Sequence, residues 1–271
     1  MAGAKPKHLV EELSHRGPHK VLRGDLALIG LPGLVFTPRS GLGLPAVAFA
    51  HGFLQPPERY LGLLRHLASW GIVVAAPGTQ RGPLASHRLF AADLRTALDV
   101  CVGVRLGDGE ISVDQGKLGL AGHSMGGGTA VLAAAEDDRV RAVATLAATQ
   151  TKPFATDAAS QCRMPALHLA AELDLVAPVV GHSGLIHSNW AGDSQLRTLP
   201  KATHLAFAEG RHWSTLLIPG KSAHAAQKLA RVLLTAFFLT HLTGTDRYRP
   251  LLDADVKGAP ITHDEEEPAR S

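Results

Sequence analysis

Two cysteines in 271 residues, Cys101 and Cys162, exclude a disulfide framework, since at most one bridge could form. Neither stands in a CxxC pair or beside a histidine at zinc-ligand spacing, and the fifteen histidines form no HxxxH pair on a convincing helix, so no metal is expected. The thiols read as ordinary groups, Cys101 on the apolar side of a helix and Cys162 just before a strand. There is little charge of one sign: 27 Lys and Arg against 24 Asp and Glu give a net +3, short of a nucleic-acid footprint. No apolar stretch of signal-peptide length follows the basic start MAGAKPKHLVEELSHRG. The chain as it stands therefore reads as cytoplasmic, with secretion left open if a leader has been removed. The longest greasy run, LARVLLTAFFLTHL at 229–242, is too short to span a bilayer and carries Arg231 and His241, so it reads as a packed helix. No internal repeat is visible, and nothing selects an oligomeric state.

What is present is enough apolar material, 45% of residues, for one sizeable core. Residues 1–20 are polar and without period, and the last stretch, 253–271, mixes Pro, Gly and an acidic run, so both read as flexible ends around a single domain at 21–252. VLRGDLALIG and GLVFTPR predict an antiparallel edge hairpin. From residue 46 onward, short continuous apolar runs (AVAFAH, IVVAAP, KLGLAG, VRAVATLA, PALHLAAELD, LRTLPKA) alternate with amphipathic ones. That alternation predicts an α/β fold, a mostly parallel central sheet with helices on both faces.

Between the third of these strands and its helix stands Gly122-His123-Ser124-Met125-Gly126. A GxSxG pentapeptide at a strand-turn-helix junction is a nucleophile elbow: glycines relieve crowding at a sharp turn that presents a strained serine. The alternative is a glycine-rich helix cap. A phosphate loop would need GxxxxGK[ST] and a dinucleotide loop GxGxxG, and neither occurs here. A nucleophilic serine needs a base, and the base an orienting acid. Asp174 ends PALHLAAELD and is the expected acid, with Glu172 as rival; His204 follows the last short strand and is the expected base, with His212 as competitor. His123 should point away from the serine, and His51 should hold its own loop through local hydrogen bonds. The backbone N–H groups of Phe53 and Met125 are the expected oxyanion donors. Phe53, Met125, Leu175 and Val176 are candidates for an apolar acyl surface, the bland reading being core packing.

These landmarks resemble the α/β-hydrolase superfamily, and within it the bacterial cutinase and polyester-hydrolase group, with a weaker likeness to plant chlorophyllases. The resemblance is carried by HGF at 51–53, GHSMGGG at 122–128, AELDLVAP at 171–178, KATHLAF at 201–207 and TDRYRPLL at 245–252. It implies a serine carboxylesterase acting through an acyl-enzyme on small or bulky esters, with Ser124, Asp174 and His204 as its triad and no cofactor. The chain departs from the secreted polyester hydrolases in lacking a terminal cysteine pair and in placing Ala148 where they carry a stacking tryptophan. GHSMGG likewise departs from the chlorophyllase GHSRGG. About 17 residues separate Ala148 from the strand at Pro165, too few for a substantial lid, so an open cleft is expected. The other readings are an amidase or acyltransferase using the same triad, and a noncatalytic small-ligand-binding homologue.

Overall fold

The period-2 distribution of buried side chains along the central strands shows how the layers form. In β3 (Gly41–Ala50), Val47 and Phe49 enter one apolar cluster while Ala46, Ala48 and Ala50 enter another on the opposite face. The same split sends Val74 and Ala76 one way and Val73 and Ala75 the other in β4 (Val73–Pro77). Strands apolar on both faces must be covered on both. In this computed structural model, which describes residues 6–211, 213–217 and 223–263, they are.

Eight strands form one sheet: β1 (Val21–Asp25), β2 (Gly33–Pro38), β3, β4, β5 (Ile111–His123), β6 (Val140–Leu146), β7 (Ala166–Ala171) and β8 (Ser194–Leu199), in the order β1-β2-β4-β3-β5-β6-β7-β8. β1 and β2 are the expected antiparallel hairpin, β2 runs antiparallel to β4, and every later pair is parallel. The helices are α1 (Pro6–Ser14), α2 (Leu61–Ser69), α3 (His87–Gly103), α4 (Met125–Ala135), α5 (Ala155–Ala159), α6 (Ser183–Ser188), α7 (His224–Thr243) and α8 (Pro250–Asp253). α1, α2 and α7 contribute to the first cluster; α3, α4 and α5 to the second. Between β6 and β7 stands only the five-residue α5. Both cysteines are free and buried, and burial pushes each thiol up to about 12.

The described residues of the two expected flexible segments, 6–20 and 253–263, depart from expectation. The segment 1–20 includes α1, where Leu9 and Leu13, spaced i,i+4, are fully buried in the first cluster. Residues 251–259 are held by Arg197, a fully buried guanidinium on β8 that donates to the carbonyls of Leu251, Leu252, Ala254 and Ala259. Thr262 adds hydrogen bonds to the Leu196 carbonyl and to Thr198. A nine-residue amphipathic segment and a lone strand arginine are too short and too non-local to be read from periodicity. Among the described residues, no helix is long and apolar enough to cross a membrane.

Candidate active site

β5 runs straight into α4, and the junction is where Ser124 sits, with φ 56° and ψ −124°. A left-handed φ is costly for a non-glycine residue and persists only where the surroundings impose it. Here they do. A Cβ on Gly122 would run into the Gly126 carbonyl, and one on Gly126 into the carbonyls of Ala50 and His51. The Ser124 N–H donates to the Leu146 carbonyl at 2.9 Å, while its own carbonyl accepts from Gly127 at 2.9 Å and Thr149 at 3.1 Å. The elbow is thus pinned to its neighbours on both sides. The serine is only 5% exposed, more covered than its expected outward presentation, because His204 lies over it.

Ser124 Oγ–H points to His204 Nε2 at 2.7 Å, and His204 Nδ1–H donates to Asp174 Oδ2 at 2.7 Å. Asp174 follows β7, and its Oδ1 accepts from the N–H groups of Val176 at 2.9 Å and Ala177 at 2.8 Å. Burial opposes its charge, but the His204 hydrogen bond and charge, aided by the two amides, outweigh it and hold the carboxyl below its usual range. Glu172 is exposed and spends Oε2 on the Lys201 N–H at 2.9 Å, away from His204. His212 lies outside the described residues.

Met125 is the first residue of α4, so its N–H has no partner within the helix. Neither it nor the Phe53 N–H is committed to an acceptor among the described residues. The Met125 side chain is buried in the second cluster, whereas Phe53, Val176 and Leu175 are exposed, Leu175 by 82%. Ala148 is fully buried, and nearby the Gln150 N–H donates to His182 Nδ1 at 3.0 Å. Burial lowers the His182 pKa, against the raising influence of Asp174.

The remaining polar groups tie the surrounding loops together. His51 faces its own Gly52 carbonyl through Nδ1 at 2.9 Å and the Thr79 carbonyl through Nε2 at 2.8 Å. Its local hydrogen bonding is therefore as anticipated. His123 turns away from Ser124: Nε2–H donates to the His204 carbonyl at 2.9 Å, and Nδ1 accepts from Tyr60 Oη–H at 2.8 Å. Tyr60 in turn accepts from the Gly52 N–H at 3.1 Å. A continuous buried chain thus runs from the loop of Phe53 to the backbone of His204. Arg59 adds a second tie, donating to the carbonyls of Glu209 at 2.8 Å and Gly210 at 3.0 Å and to Gln55 Oε1 at 2.8 Å. Neither tie is legible in the sequence: Tyr60 reads as one more apolar position on a helical face, and nothing near Arg59 in the chain announces its partners.

Among the described residues, no three His, Cys, Asp or Glu side chains converge as a metal site. Thermobifida alba cutinase est1 is 27% identical over 196 residues, 70% of this chain and 64% of that protein. The Streptomyces coelicolor bis(hydroxyethyl) terephthalate hydrolase is 29% identical over 201 residues, 72% of this chain and 59% of that protein. Cutinase 2 of Thermobifida cellulosilytica is 29% identical over 151 residues, 56% of each chain. The chain thus spans between about half and two thirds of the length of these curated relatives. The described sheet order and the elbow between β5 and α4 lie within residues 12–215, the region matched by the model of the PET hydrolase-like family, and the chain belongs to that family.

Proposed function

We propose that this chain is a serine carboxylesterase that hydrolyses carboxylic esters through an acyl-enzyme on Ser124. The observation that carries the reading is the buried line from Ser124 Oγ through His204 to Asp174, with two 2.7 Å hydrogen bonds. The names of the relatives, cutinases and a bis(hydroxyethyl) terephthalate hydrolase, supply the ester class.

In the first half-reaction His204 Nε2 takes the Ser124 proton as Oγ attacks the ester carbonyl carbon. Asp174 keeps Nδ1–H in place and stabilises the imidazolium that forms. The N–H groups of Phe53 and Met125 receive the oxyanion, and loss of one such donor costs about 2.7–4 kcal/mol of barrier in a comparable serine enzyme. His204 then returns the proton to the leaving alcohol. Water repeats the sequence, and the acid departs. No metal or organic cofactor enters any step. Exposed Phe53, Leu175 and Val176 offer the acyl portion an open apolar wall, so small and bulky esters are both candidates.

A p-nitrophenyl ester series from C2 to C12 tests this. Wild type turns over at least one member and reacts once per chain with an alkyl phosphonate, located at Ser124 by mass spectrometry; Ser124→Ala does neither. A folded wild type inert to the whole series and to the phosphonate would defeat the assignment.

A further inference from the structure

Away from Ser124, a cleft of about 390 Å³ lies between the end of α1 and the start of α2, lined by Arg16, Arg65, His66, Glu209 and Arg231. Three guanidinium groups face one carboxylate. That carboxylate is already engaged, its oxygens accepting from the Gly62 N–H at 2.8 Å and the Leu63 N–H at 3.2 Å, where it caps α2. None of the three arginines forms an ion pair with an acid among the described residues. The local balance is therefore three positive charges against one negative, a surplus of two. Arg16 and Arg65 also border a neighbouring cleft with Lys20 and Arg23, so the positive field extends beyond the cavity.

His66 adds an independent sign of a missing partner. It is 4% exposed, lines the cavity, and its Nε2 is buried with no hydrogen-bond partner among the described residues. Buried polar atoms without partners are uncommon and call for an explanation. Burial, reinforced by the charges of Arg231 and Arg16 and opposed by a hydrogen bond to the Leu13 backbone, lowers the ring to about 4. At neutral pH the ring is thus uncharged, and in the tautomer that carries its proton on Nδ1 the Nε2 atom is an acceptor. An oxyanion that fills this cleft should bring two negative charges for the arginines and one hydroxyl hydrogen for His66.

We propose that this cleft is a binding site for hydrogen phosphate, with Arg16, Arg65 and Arg231 neutralising the oxyanion and His66 Nε2 accepting its P–OH. Guanidinium forks match the oxygens of such a group, and the hydroxyl distinguishes it from sulfate, which has the charge but no hydrogen to donate. The site is separate from the ester chemistry and stands whether or not Ser124 is a nucleophile.

Isothermal titration of the full chain with inorganic phosphate, at pH 7.5 and fixed ionic strength, tests it. Saturable one-to-one binding is expected, weakened at least tenfold in the double variant Arg16→Ala/Arg65→Ala, whose two side chains are exposed and leave ester turnover unchanged. Sulfate should bind several-fold more weakly than phosphate, and His66→Leu should remove that preference, with its thermal melt checked for folding. Absence of saturable binding, binding indifferent to the arginine pair, or sulfate binding as tightly as phosphate in wild type would each overturn it.

Discussion

His123 and His204 lie with ring centroids 5.2 Å apart, both essentially excluded from water and both hydrogen-bonded through each ring nitrogen. Their partners differ in kind. His204 has a carboxylate on one side and a hydroxyl on the other, so a proton arriving at Nε2 meets a compensating charge. His123 has a tyrosine hydroxyl and a backbone carbonyl, neither of which carries charge. Burial, with the neighbouring His204 adding to it, lowers His123 to about 3, against weaker raising influences. Proximity to the serine and enclosure do not suit a ring to act as a base; a buried carboxylate at the far nitrogen does. The ring next to Ser124 in sequence is instead a fixed neutral strut.

The sharpest way to break this contrast is to exchange the demands on the two rings. Asp174→Asn should lower kcat by about 10⁴-fold and His204→Ala by about 10⁴-fold or more, as in other triads. His123→Gln should cost no more than about 100-fold, through displacement of the groups it holds. Equal losses at both histidines in a p-nitrophenyl ester assay would erase the distinction. A smaller effect is expected at Tyr60→Phe, which strips a partner from the Gly52 N–H and from His123 Nδ1. It should reduce unfolding free energy by about 1–3 kcal/mol in urea titration while leaving phosphonate labelling of Ser124 intact.

The weakest effect separates the rings by pH. Unfolded, His123 binds a proton near its ordinary 6.5; folded, it resists until about 3. Between those values the unfolded state holds the extra proton, so stability rises with pH there and falls on acidification, by about 1.4 kcal/mol per pH unit for each such ring. His168, lowered by burial to about 3, has the same sign. Urea midpoints from pH 7 to 5 should fall less steeply in His123→Gln than in wild type. Parallel slopes would show that His123 carries none of this linkage.

The parallel sheet and the elbow were legible because their signals are local: continuous apolar runs, and a glycine-flanked serine between strand and helix. Asp174 and His204 were identified as candidates by their places after strands. Strand limits were less visible. β3 begins at Gly41 and β5 at Ile111, earlier than their apolar runs, because Gly41 pairs with Ile111 and Leu44 with Val113 through irregular register. What stayed hidden was polar and distant in sequence. Tyr60 and His123 meet across 63 positions, and nothing in either neighbourhood announces the other. Arg59 and Arg197 look like surface charges until folding surrounds them with carbonyls.

Arg197 has a consequence for how this protein can be handled. Burial lowers its guanidinium to about 10, yet it stays cationic at neutral pH, and its acceptors in the final stretch are main-chain oxygens rather than an acid. Side-chain replacements at the exposed Asp253 and Lys257 leave those oxygens in place, so the anchor tolerates drift there. Cutting the backbone before them strands a cation inside the protein. Residues 251–259 are therefore free to vary at their exposed positions, while the buried Leu251, Leu252, Val256 and Ala259 and the backbone itself are not dispensable.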